Sequence, residues 1–184
     1  MNEHRQGQQP DLQQRLLEAE IQLDKNNLGD AEKLFQEILE QDPNNAKAWS
    51  KLGVAKIRMG DKAAAKECWE MAIRLDDKNA PAYSNLGNLA KEAGNLDQAI
   101  EFYKRAIKAD PDFPTAYHNL GVALREKGDI GESINNLKKA ARLQRNYAKS
   151  DLQKVPKKQR NIAWAIMVGL GVLIFYLISR SIGG

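Results

Sequence analysis

Apolar positions in this chain of 184 residues recur three or four apart through most of its length, the spacing of helices that bury one face. Between residues 12 and 147 the pattern is interrupted at regular places by Gly, Asn, Asp and Pro, which divides it into stretches of about 13 residues. Each stretch has large apolar residues on one face and polar residues on the other, so consecutive stretches are expected to pair as helical hairpins. A different pattern begins at Ile162: through Ser179 there is no charged residue, and apolar side chains occur on every side.

The hairpin segment has an internal period. Residues 12–45, 46–79, 80–113 and 114–147 superimpose without gaps at 34 residues per unit. Trp49, Tyr83 and Tyr117 share one slot, and the pairs Leu52 and Gly53, Leu86 and Gly87, Leu120 and Gly121 share the next conspicuous one. Gly60, Gly94 and Gly128 coincide, as do Ala31, Ala65 and Ala99, then Phe35, Trp69 and Tyr103, and then Ala72, Ala106 and Ala140. Large residues three or four apart form the buried stripe, and small ones stand where two helices approach closely. Gly60, Gly94 and Gly128 precede Asp61, Asn95 and Asp129, so a left-handed C-terminal residue is followed at once by a side-chain N-cap. Pro43 and Pro111 end the second helix of their units, because proline disfavours the helical conformation in the residue before it.

These slots resemble the tetratricopeptide repeat, over 136 of the 184 residues. The resemblance implies an all-α, right-handed superhelical solenoid of four hairpins whose concave face is lined by the first helix of each unit. No hairpin covers its own apolar face, so each is stabilised by stacking on its neighbours. The end units depart from the pattern. In the first, Arg15 and Glu18 replace an aromatic residue and a leucine, as suits a capping helix with one face in water. In the fourth, Ser133, Leu137 and Arg145 replace alanine, an aromatic residue and proline, so nothing stops the last helix before Pro156. A polar extension, roughly Tyr147 to Lys154, is expected to lie against the last unit, and residues 148–160 to form a basic juxtamembrane linker.

The run from Ile162 to Ser179 would measure about 27 Å as a helix, against a hydrocarbon core of about 30 Å. With Trp164 and Tyr176 near its ends, where amphipathic rings favour the interface, residues 161–180 are expected to cross a bilayer, leaving 181–184 as a short tail. Met1 to Asp11 is polar, lacks a signal peptide and is expected to be disordered. The arrangement resembles that of tail-anchored proteins.

Charge separates two zones. Residues 1–137 carry 18 Lys and Arg against 23 Asp and Glu, a net of −5, whereas Lys138 to Arg160 carries nine basic residues against Asp151 alone, a net of +8. The basic character thus belongs beside the apolar run and not to a nucleic-acid-binding face. Lys149, Lys154, Lys157, Lys158 and Arg160 oppose only Arg180 across the run, which places the repeats in the cytoplasm as a single-pass protein. A bacterial inner membrane is favoured over a mitochondrial outer or endoplasmic reticulum membrane.

Little in the chain could do chemistry. His4, His118 and the single cysteine, Cys68, form neither a metal site nor a nucleophile with its base, and no phosphate-binding loop is present. The chain is expected to be a non-enzyme without cofactors, and Cys68 a small packing residue in a reducing compartment.

Function is then expected in the groove. The resemblance assigns its inward slots to Lys47, Ser50, Lys51, Val54 and Arg58 in the second unit, to Ser84, Asn85, Asn88 and Lys91 in the third, and to His118, Asn119, Val122 and Arg125 in the fourth. Amides and cations of this kind favour a protein or peptide partner that carries acidic residues or a free carboxylate. The carboxylate clamp of chaperone-binding relatives maps here onto Ser84, Asn88, Asn119, Lys149 and Gln153, without its first Lys and last Arg. The charge-assisted bonds are therefore mostly missing, and chaperone-tail binding is not expected. The chain reads as a membrane-tethered adaptor that serves assembly of a membrane complex. The alternative is a structural role with weak self-association, through stacked end units or through Ala165 and Gly169 in the span.

Overall fold

The computed structural model describes residues 11–154 and Pro156. All regular structure among them is α-helical: α1 (Leu12–Asp24), α2 (Leu28–Gln41), α3 (Ala46–Arg58), α4 (Lys62–Leu75), α5 (Ala80–Glu92), α6 (Leu96–Ala109), α7 (Pro114–Lys127) and α8 (Ile130–Lys154). Among the described residues, those up to Ala141 form one compact unit, and α8 from Arg142 to Lys154 belongs to another. In the first unit α1 pairs with α2, α3 with α4 and α5 with α6, Gly121 of α7 lies against Leu137 of α8, and each pair packs on the next, which makes an all-α repeat solenoid.

The turns within the pairs follow from local chemistry. Gly60, Gly94 and Gly128 have φ of +89°, +80° and +100°, a region that costs an L side chain strain and glycine none. The amide of the residue after each glycine reaches back five residues, Asp61 N–H to Lys56 O at 3.0 Å and Asp129 N–H to Leu124 O at 2.8 Å, the Schellman closure of a helix end. Asn26 occupies the same slot in the first pair with φ of +62°. Asparagine is the side chain that best tolerates this conformation, so the turn survives without glycine.

Capping is less uniform than the spacing predicts. Asp61 accepts from Ala64 N–H at 3.0 Å as expected, but Asn95 makes no side-chain cap bond. The backbone turn, with Asn95 N–H bonded to Ala90 O and Ala99 N–H to Asn95 O, starts α6 without it. Between pairs, Asn45 and Asn79 cap α3 and α5 by accepting from Ala48 and Ala82. α2 and α6 stop directly before Asp42 and Asp110, each followed by proline.

The repeated spacing of small against large residues has a steric basis. A Cβ added at Gly53 would lie 2.5 Å from Trp69 Nε1, and one at Gly87 2.5 Å from Tyr103 Cε1. Gly121 stands in the same relation to Leu137, at 2.8 Å. Each first helix thus lies directly on the large residue of its second helix. Trp69 and Tyr103, among the largest fully buried side chains, fill the space that the glycine leaves.

Two expectations about the ends change. Arg15 does not face water: its side chain is 14% exposed and its guanidinium pairs with Glu37 of its own hairpin, because that slot lies against α2. Glu18 is exposed, as expected of a cap. α8 runs unbroken to Lys154, so the basic extension is helical that far. Asp11 is ordered, and its carbonyl accepts from Gln14 and Arg15. Among the described residues no helix is long and apolar enough to cross a membrane. The residues expected to span a membrane, Ile162, Trp164, Gly169 and Tyr176, the linker beyond Lys154 apart from Pro156, and residues 1–10 lie outside the described residues.

Candidate peptide-binding groove

The first helices of neighbouring pairs touch, α1 with α3 and α5 with α7, so their facing side chains form a row along the stack. The sequence-assigned residues belong to α3, α5 and α7, and the structure divides them by what they already hold.

At the first junction, Lys47 and Lys51 both reach Glu20 Oε1, at 2.9 and 3.5 Å. Burial alone would raise the pKa of Glu20. The hydrogen bond from Lys47 and the charge of Lys51 outweigh it and hold the carboxyl below its ordinary value. Arg58 Nη1 donates to Leu23 O at 2.7 Å, where a cation offsets the negative end of α1. At the third junction, Lys91 pairs with Glu126 at 3.4 Å. Four of the five cations assigned to ligand binding are therefore engaged between repeats. Two lysines sharing one glutamate leave positive charge at the first junction. Arg125 and His118 are exposed on α7.

The amides divide in the same way. Asn119 Nδ2 donates to Ser84 Oγ at 3.2 Å and to Asn88 Oδ1 at 3.1 Å. Tyr103 O–H donates to the same Asn88 oxygen at 2.8 Å. Burial, with Glu126 adding to it, pushes the Tyr103 phenol up to about 12, so it remains a donor at neutral pH. Residues assigned to a clamp are thus a cross-link between the third and fourth repeats. Asn85, equivalent to Asn119 by period, makes no side-chain hydrogen bond among the described residues.

One rule covers these cases. Glu20 and Lys51 stand 31 residues apart, as do Asn88 and Asn119, and both pairs bond. Val54 and Asn85 have the same separation at the middle junction. A valine offers no hydrogen bond, so the half-buried Asn85 amide has no such partner in that slot. The separation of 31 was readable in the sequence, but only the geometry showed that these slots touch.

Other features fit packing. Cys68 is buried, and burial pushes its thiol up to about 11, which makes it unreactive. Among the described residues no group of His, Cys, Asp and Glu could hold a metal ion. A cleft of about 290 Å³ between α4 and α6 has Leu86, Leu89 and Ala90 as its floor. It exists because Ala90 and Ala93 stand where the second repeat has Lys56 and Met59.

Comparison with known proteins agrees with this architecture. Profiles of the tetratricopeptide repeat match residues 22–91 and 114–147, and a further TPR repeat profile matches 87–124. A crystal structure of MamA is 30% identical, with a TM-score of 0.63 over 76% of this chain and 81% of that one. A second MamA crystal structure is 31% identical, with a TM-score of 0.60 over 79% and 80%. Residues 41 to the end of MamA from Desulfovibrio magneticus RS-1 share the fold at 20% identity, with a TM-score of 0.59 over 74% and 77%. No curated protein matches the chain.

Proposed function

Because the chain belongs to the tetratricopeptide repeat family, a fold that suggests a protein-interaction scaffold, we propose that it is a membrane-tethered adaptor that binds a partner peptide along the row of first helices. Nothing in it points to catalysis. The reading rests on one observation: at the middle junction the Asn85 amide has valine where its counterparts have a bonding partner. An amide that offers both donor and acceptor suits an extended peptide backbone. Arg125 and His118, exposed on α7, the next first helix, and the surplus charge of Lys47 and Lys51 favour a partner with one or two acidic groups. A strongly acidic tail fits less well, because Arg58 and Lys91 are already engaged.

The tether is the apolar run from Ile162 to Ser179. The basic residues before it support a cytoplasmic location for the repeats, with a bacterial inner membrane favoured. Carbonate-resistant membrane association that disappears when 161–184 is removed is the expected result. A fully soluble intact chain would refute the tether.

The binding test must spare the stack. Changing Asn88 or Asn119 would unlink the third and fourth repeats as well as any ligand. Asn85→Ala, His118→Ala and Arg125→Ala remove side chains that hold no neighbouring repeat among the described residues. Proximity labelling in the native cell, comparing the intact chain with this triple variant, should lose a defined set of partners while circular dichroism stays the same. An unchanged set of partners would move binding away from this row.

A further inference from the structure

The two ends of the repeat stack expose apolar side chains at positions that the interior junctions cover. Inside the stack, Ile100 of α6 is buried in one cluster with Leu120, Ala123 and Leu124 of the next repeat. Ile134, its equivalent 34 residues later on α8, is 46% exposed, and Ile130 one turn earlier is 52% exposed. At the other end, Ile21 is equivalent to Ala55 and Ala123, both fully buried, yet is 42% exposed, and Leu17 is 58% exposed.

The edges also differ in charge. Glu18 and Asp24 are exposed on α1, whereas Lys138 is exposed on α8 one turn beyond Ile134 and opens the segment of net +8. The interior junctions carry ion pairs between a second helix and the next first helix: Glu32 with Lys56, Lys62 with Glu92, and Asp97 with Lys127. At the α8 edge the slots of those ion pairs fall on Ile130, Gly131 and Ile134, so the ends offer an apolar contact, with a basic α8 edge and an acidic α1 edge beside it.

We infer that copies of this chain associate head to tail, the α1 edge of one seating on the α8 edge of the next and continuing the repeat packing between molecules. The interior register specifies the contacts. Ile100 clusters with Ala123, and Ile107 packs against the cluster that holds Ala116, so the two helices run antiparallel. By the same register Ile134 meets Ile21, Ala141 meets Gln14, and Lys138 comes beside Leu17 and Glu18. Such a contact uses two different surfaces and does not close on itself, so it produces open chains of molecules and not a symmetric dimer. This inference is independent of the peptide-binding reading.

Thiol cross-linking of the full chain in detergent micelles tests it. Ile21→Cys and Ile134→Cys change exposed positions, and the buried Cys68 stays unreactive. Mixing the two variants under mild oxidation should give a disulfide-linked dimer that neither variant gives alone. Gln14→Cys with Ala141→Cys repeats the test elsewhere in the register, so one unfavourable thiol geometry does not decide the outcome. Failure of both mixtures to cross-link, with circular dichroism showing folded chains, would overturn the inference. Equal cross-linking of each variant alone would do the same, because it would reveal a symmetric contact or one made through the apolar run.

Discussion

The first and third junctions of the stack use the same pair of slots in opposite ways. Where α1 meets α3, Glu20 takes two lysines. Where α5 meets α7, Asn119 takes Ser84 and Asn88, and Tyr103 completes the network. The charged junction is redundant, because either lysine can satisfy Glu20, and it is partly open to water and salt. The amide junction is not redundant, because one Nδ2 group serves two acceptors, one of them on a buried serine. Equivalent positions in a repeat can thus hold an adjustable contact in one place and a committed one in another. The middle junction, with Val54 opposite Asn85, holds neither.

The largest effect is expected where the amide junction has its steric foundation. Gly87→Ala puts a Cβ 2.5 Å from the ring of Tyr103, which is enclosed and can shift only by disturbing its neighbours. It should displace the phenol from Asn88 and lower the stability of the repeats by about 2–3 kcal/mol, read by urea unfolding. An unchanged midpoint would mean that the ring can move and that the network is not anchored there.

Next in size is the contrast between the two junctions. Asn119→Ala removes the donor to both Ser84 and Asn88 and should cost about 1–2 kcal/mol. Lys51→Ala leaves Lys47 on Glu20 and should cost less than about 1 kcal/mol, as half-exposed ion pairs do. Equal losses in the two variants would erase the distinction drawn here.

The smallest effect concerns acid. The Glu20 pKa is held below its ordinary value of 4.5, so its pairing contributes stability above that value and loses it as pH falls through the lower folded value. Between neutral pH and this window, amide protection factors at α1 and α3 should stay constant, and below it α1 and α3 should open before α5 and α7. Glu20→Gln should abolish the difference. Simultaneous opening of all four helices would show that the carboxylate does not govern the first junction.

Much of the hairpin architecture was legible because its causes are local. A glycine with positive φ, a proline after an aspartate, and a glycine sixteen residues before an aromatic residue each act within one unit. Asn26 could have been read in the same way, as the side chain that best replaces glycine in that turn. Arg15 was misread because its partner Glu37 lies on the other helix of its hairpin, at a separation that the amphipathic pattern does not register. Lys47, Lys51, Arg58, Lys91, Asn88 and Asn119 were assigned to a ligand because polar residues on one helix face look alike whether they meet water, peptide or a neighbouring repeat.

The period and its caps, glycines and small residues determined by themselves that the chain stacks helical pairs, since each of these devices acts over one or two turns of backbone. Only the tertiary structure decided which polar groups are spent in holding the stack and which remain. That depends on two slots 31 residues apart coming within hydrogen-bond reach. The packing angle between neighbouring repeats sets that distance, and the order of residue types alone does not.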